Sequence, residues 1–187
     1  MKKFFLILSV LVAFSMPLMA EGFIGAYGAG VASGQVYGGV NPVVSRCLPI
    51  GVKWEQDIGW FAIGTELSYN GLLLKTVPDG SVPDGSVLLG AAIPISYHYA
   101  ISDVLNLNVG LLAKSEFTLK GTAFSAIDIG AGIESSLRFD IADAVGIMLG
   151  MELSVSVYSM QFSGGTMSLL DNRKFNVAPK IAIGYIY

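Results

Sequence analysis

The segment Val87–Tyr99, VLLGAAIPISYHY, separates by parity. Its odd positions are Val87, Leu89, Ala91, Ile93, Ile95, Tyr97 and Tyr99; its even positions are Leu88, Gly90, Ala92, Pro94, Ser96 and His98. Successive side chains of a strand point to opposite faces, so this stretch carries one apolar face and one small or polar face. A run of this length spans roughly 40 Å at about 3.4 Å per step, or about 30 Å once tilted near 40°. That height covers the apolar band of about 25 Å that a membrane-crossing strand must present.

The same pattern recurs along the chain. Leu105, Leu107, Val109, Leu111 and Phe117 oppose Asn106, Asn108, Gly110, Lys114 and Glu116. Ile127, Ile129, Ile133, Leu137 and Phe139 oppose Asp128, Gly130, Gly132, Glu134 and Arg138. Val145 to Val157 sets Ile147, Leu149, Met151, Leu153 and Val155 against Gly146, Gly150, Glu152, Ser154 and Ser156. Leu48, Ile50, Val52 and Trp54 oppose Cys47, Gly51 and Lys53, and Phe61, Ile63, Leu67 and Tyr69 oppose Ala62, Gly64, Glu66 and Ser68. Phe23 to Ala32 is a Gly-rich first segment, and Phe175 to Tyr187 is the last. Together these are eight strands, an even number that closes an antiparallel ring with both ends on one side.

Composition says where such a ring would stand. Hydrophobic residues are 53% of the chain and charged residues 13%, against roughly a quarter charged in an ordinary soluble domain. Residues 1–20 read as a cleaved signal peptide, with Lys2 and Lys3 ahead of the apolar run FFLILSVLVAF and Ala20 at the cut. After it no stretch is long and apolar enough for a spanning helix. In lipid, backbone polar groups must be bonded internally, which only helices and closed barrels achieve. The expectation is therefore an all-β fold, an eight-stranded antiparallel up-and-down transmembrane β-barrel over residues 21–187. A soluble β-sandwich shares the alternation. Its solvent face would be dense in Lys, Glu and Thr, whereas the second face here is crowded with Gly, Ala and Ser, which suits a narrow lumen.

Short connections, Glu55–Ile58, Ile101–Val104 and Asp140–Asp143, alternate with longer ones at 33–42, 71–86, 118–125 and 159–174. Periplasmic turns are short and extracellular loops long, so the short set faces the periplasm. Trp54, Phe61, Tyr97, Tyr99 and Phe139 then form a lower aromatic girdle, with Tyr69, Phe117 and Phe175 in a sparser upper one. The stretch VPDGSVPDGS, Val77 to Ser86, doubles a turn signal inside the second outer loop. An insertion is cheap there, because doubling a loop costs only about 0.6 kcal/mol in closure entropy.

The inward charges are Lys53, Lys114, Arg138 and Lys180 against Glu66, Glu116, Asp128, Glu134 and Glu152, four against five. Buried charges are tolerated when paired, so the expected lumen is salt-bridged. It serves either as a plug or as a gate for small solutes. Nothing points to a catalytic group, a metal or a cofactor: His98 is the only histidine, Cys47 is alone, and Gly28 and Gly30 precede no helix that could hold a phosphate. Without Lys2 and Lys3, nine basic residues face fourteen acidic ones, a net −5, and no basic stripe suggests nucleic acid.

The C-terminal KIAIGYIY, Lys180 to Tyr187, resembles the terminal assembly signal of bacterial outer-membrane barrels, which runs polar, any, Gly, any, any, apolar, any, aromatic. Lys180, Tyr185 and Tyr187 match; Ala182 stands where Gly is usual, and the last aromatic is Tyr in place of the commoner Phe. The whole segment 21–187 resembles the small eight-stranded OmpX, OmpW and OmpA-barrel group. That resemblance implies outer-membrane lipid around the barrel, the barrel-assembly machinery as a partner during insertion, and a monomer. It implies one of two functions: a structural or adhesion-type surface protein with ligands at the four outer loops, or a narrow porin-like passage for small or apolar molecules.

Overall fold

A computed structural model describes residues 21–37, 40–70, 73–77, 80–83, 85–121, 123–142, 144–163, 166–170 and 173–187. The proposed signal peptide, residues 1–20, lies outside them.

The strands are β1 (Gly22–Ala29), β2 (Val31–Tyr37), β3 (Val40–Cys47), β4 (Ile50–Ile58), β5 (Phe61–Asn70), β6 (Leu73–Val77), β7 (Gly80–Pro83), β8 (Ser86–Ser102), β9 (Leu105–Lys120), β10 (Ala123–Ala142), β11 (Val145–Ser163), β12 (Thr166–Leu170) and β13 (Arg173–Ile186). They form eight staves: β2 prolongs β1, β4 prolongs β3, β6 prolongs β5, β8 prolongs β7 and β13 prolongs β12. The hydrogen-bonded order β11-β10-β9-β8-β5-β4-β1-β13 returns to β11, so the sheet closes on itself. Every pairing is antiparallel. Closure leaves no edge around the ring, which is what a wall in lipid requires.

Outward residues of β8 to β11 pair in rows, such as Ile95 with Leu111, Leu111 with Ile133 and Ile133 with Leu153. All four are exposed to the surroundings of the barrel. The buried set is largely polar: Lys53, Glu66, Glu134, Arg138 and Glu152 have almost no exposed surface. The fold is thus inverted relative to a soluble domain, with apolar side chains outside and charges within.

The structure corrects two expectations about connections. Glu55–Ile58 is not a turn. β4 runs through Ile58, and the reversal falls at Gly59–Trp60, where Gly59 takes φ 64°, a conformation that favours glycine. Nor are 33–42, 118–125 and 159–174 long loops, because strands fill most of each. β9 and β10 meet in a tight connection, with Lys120 opposite Ala123. β11 and β12 make a hairpin closed by Ser163 opposite Thr166, and β2 and β3 pair up to Tyr37 opposite Val40. Within 71–86, β6 and β7 pair up to Val77 opposite Gly80. Of the first copy of VPDGS, Val77 ends β6 and Gly80 and Ser81 open β7; Pro78 and Asp79 lie outside the described residues. The second contains Gly85, at φ 70°, just ahead of β8. The 20 residues of β10 reach roughly 50 Å vertically at this tilt, about twice the apolar band.

Candidate functional site: the charged lumen

Alternation turns every second side chain inward, and eight strands leave a bore only wide enough for those side chains. Charges from different staves are thereby forced into contact. From the periplasmic end, Arg138 on β10 reaches Asp57 at 2.9 Å and Asp140 at 3.2 Å, with Glu55 at 3.9 Å. Lys53 on β4 reaches Glu134 at 2.7 Å, Glu66 at 3.0 Å and Glu55 at 3.4 Å. Lys180 on β13 bonds Glu66 at 2.6 Å, Glu152 at 2.8 Å and Glu134 at 2.9 Å. Lys114 on β9 joins Glu152 at 2.8 Å to Glu116 at 3.1 Å. Lys174 on β13 then joins Glu116 to Asp128, and Asp128 accepts a hydrogen bond from Ser159. The result is a ladder of alternating sign along the bore, in which each described cation meets two or three carboxylates.

Polar side chains finish the lower end. Asn108 donates to Glu55 and Asn106 to Asp140. The His98 ring lies 2.8 Å from the Asn108 side-chain oxygen and 3.7 Å from Asp57. Near the top, Ser33, Asn176 and Ser154 form a hydrogen-bonded chain that ends on Glu152. Little space is left. A cavity of about 30 Å³ lies between Tyr27, Cys47, Asn70 and Leu88 on one side and Lys114, Glu116 and Lys180 on the other. It has room for about two water molecules.

The nine charges expected in the lumen, Lys53, Glu66, Lys114, Glu116, Asp128, Glu134, Arg138, Glu152 and Lys180, all take part in this ladder. Sequence reasoning missed Glu55, Asp57, Asp140 and Lys174, because it assigned the first three to turns and the last to a loop. The balance is corrected accordingly: among the described ladder residues five cations face eight carboxylates, not four against five. Lys53-Glu55-Asp57 and Lys174-Asn176-Lys180 are same-parity rows, a signal that was present in the sequence. The side-chain oxygens of Glu66, Glu134 and Glu152 converge closely enough to suggest a cation site. Lys180 Nζ already sits at their meeting point, so the barrel supplies its own cation there.

The girdle residues Tyr97, Tyr99 and Phe139 project outward near the periplasmic turns, and Phe61 stacks edge-on against Trp60 at 5.4 Å. Trp60, missed from sequence, also packs beside Tyr97. Trp54 donates to the Tyr187 hydroxyl at 2.6 Å, and that hydroxyl donates to Gln56. Tyr187 also exchanges backbone hydrogen bonds with Gly22. In the C-terminal segment Lys180 and Ala182 face the lumen, while Tyr185 faces out.

No protein-family model matches the chain, and no curated protein matches its sequence. Solved structures do resemble it. The outer membrane protein OprG of Pseudomonas aeruginosa superposes with a TM-score of 0.59 at 8% identity, over 90% of this chain and 96% of that one. Neisserial surface protein A superposes with a TM-score of 0.50 at 10% identity, over 85% of this chain and 95% of that one. Ail, the attachment invasion locus protein of Yersinia pestis, gives 0.49 at 10% identity, over 90% and 99%. The chain folds as a small eight-stranded outer-membrane β-barrel. At such low identity the likeness fixes the fold alone. What distinguishes this outer-membrane barrel must come from its own residues, and the ladder is their most developed feature.

Proposed function

We propose that this outer-membrane barrel is a closed-lumen surface protein, which acts through its outward hairpins rather than by passing solute through its bore. One observation carries the reading: the ladder from Asp140 to Asp128 occupies the bore, with each of its five cations, Arg138, Lys53, Lys180, Lys114 and Lys174, held by at least two carboxylates. A solute would have to separate several buried ion pairs at once, and breaking a single one by removing a partner typically costs about 3–5 kcal/mol. The tall β-wall then serves as a stalk. It lifts the β2–β3 and β6–β7 hairpins away from the bilayer, where a surface ligand would meet them. OprG and the Neisserial surface protein share this architecture, which supports an envelope role. The reading is non-catalytic: the His98 ring is engaged by Asn108 and lies beside Asp57, within the polar lower end of the ladder. Lipid surrounds the barrel, and the assembly machinery reads the Lys180–Tyr187 segment during insertion.

Swelling of proteoliposomes in small sugars and amino acids tests this. The proposal expects rates equal to those of protein-free vesicles. A rate that rises with the amount of protein and falls with solute size would replace it with the narrow-passage reading.

A further inference from the structure

The outward face stays apolar through the row of Phe117 and on towards the upper strand ends, on the side built by β9 to β12. A β-bulge is responsible. Gly130 pairs with Ser156 but Ile129 pairs with Tyr158, which leaves Val157 as the extra residue. Past a bulge the parity of a strand inverts, so Tyr158, Met160 and Phe162 turn outward and Ser159 turns in to Asp128. Strict alternation would have aimed those apolar side chains into the lumen. Leu169 pairs with Met160 and Met167 with Phe162, so both join the same face. Phe124 lies 5.8 Å from Phe117 and 5.3 Å from Phe162, ring centre to ring centre. Tyr158, Met167 and Leu169 are more than half exposed, at 56%, 64% and 66%. Among the described residues, these strands put no charge on this face.

On β10 and β11 the patch continues the lipid-facing rows of Leu153, Val157 and Ile129, and in the adjoining row of β9 the Ser115 hydroxyl is turned to the Ala91 carbonyl. The four steps from Tyr158 to Phe162 carry it about 10 Å higher, the depth over which amphipathic elements sit in the headgroup and acyl boundary. An apolar area of this kind is not left bare to water. We infer that outer-leaflet lipid covers it, and that the β11–β12 hairpin with Phe124 is a lipid anchor that raises the apolar boundary of the bilayer along β9 to β12. The inference concerns only the exterior and stands or falls independently of the closed lumen.

A nitroxide placed by Met167→Cys in a Cys47→Ser background, in vesicles of palmitoyl-oleoyl phosphatidylcholine, tests it. The readout is collision with oxygen, which concentrates in acyl chains, against collision with a water-soluble nickel chelate. Leu153→Cys on the lipid face and Lys120→Cys at the end of β9 give the two reference values. The expected result is a loss of nickel collisions at position 167 that matches position 153. A value matching position 120 overturns the inference. So does spin–spin broadening at 167 that disappears on dilution with unlabelled protein, because a second copy would then be the occupant. Leu169→Cys over Cys47→Ala repeats the measurement if the first pair does not give the folded, heat-modifiable form.

Discussion

Lys180 on β13 bonds Glu66 on β5 across the bore at 2.6 Å, although 114 residues separate them in the chain. The same ammonium also holds Glu134 and Glu152. It is the centre of the ladder, and its removal leaves three carboxylates converging with less compensation. Lys180→Met is therefore expected to destabilise the barrel by about 3–5 kcal/mol, read from urea unfolding in vesicles. Lys120→Met, at an exposed strand end, is expected to change stability by less than about 0.5 kcal/mol. Equal effects would mean that the lumen charges are not paired as described.

The seam between the first and last staves makes a second prediction. Gly25 lies directly opposite Gly184. A methyl group on Gly25 would come within 2.4 Å of the Ile183 carbonyl oxygen and 2.7 Å of the Gly184 Cα, and backbone on both sides cannot easily give way. Gly25→Ala is expected to cost about 1–3 kcal/mol. Gly28→Ala, three residues along the same strand with open space around its added methyl, is expected to stay within about 0.5 kcal/mol. The temperature at which the folded band is lost in a gel-shift series separates the two.

Tyr187 accounts for a third. Its hydroxyl accepts from Trp54 and donates to Gln56, so the last residue is tied across β1 to β4. Phe at this position would keep the aromatic ring of the assembly signal and lose both bonds. Tyr187→Phe is expected to insert normally and to lower stability by about 1–2 kcal/mol, again read from the heat-modifiability midpoint. An unchanged midpoint would assign the hydroxyl no part in closure.

Much of this fold was legible because a membrane wall leaves few choices. Parity in Val87–Tyr99 or Ile127–Phe139 separates lipid from lumen directly, since each face meets a different solvent. The signal failed where local chemistry imitated a turn. Glu55-Gln56-Asp57 looks like a connection, yet Arg138 and Lys53, distant in sequence, make inward carboxylates favourable there. The outer strands were missed for a related reason. Ser- and Gly-rich stretches such as Ser159 to Lys174 have weak strand preferences of their own and become strands by pairing with a neighbouring strand. The bulge at Val157 was illegible, because it is a property of the β10–β11 pairing and not of either strand alone.

The central claim is that ion pairs close the bore. Current across a planar bilayer that holds the refolded chain, residues 21–187, tests it most directly, with Lys180→Ala run beside it. The account predicts a silent wild-type protein at both polarities, and discrete openings only in Lys180→Ala, where the middle of the ladder has been removed. Steady single-channel steps from the wild-type protein, unchanged by the substitution, would contradict it.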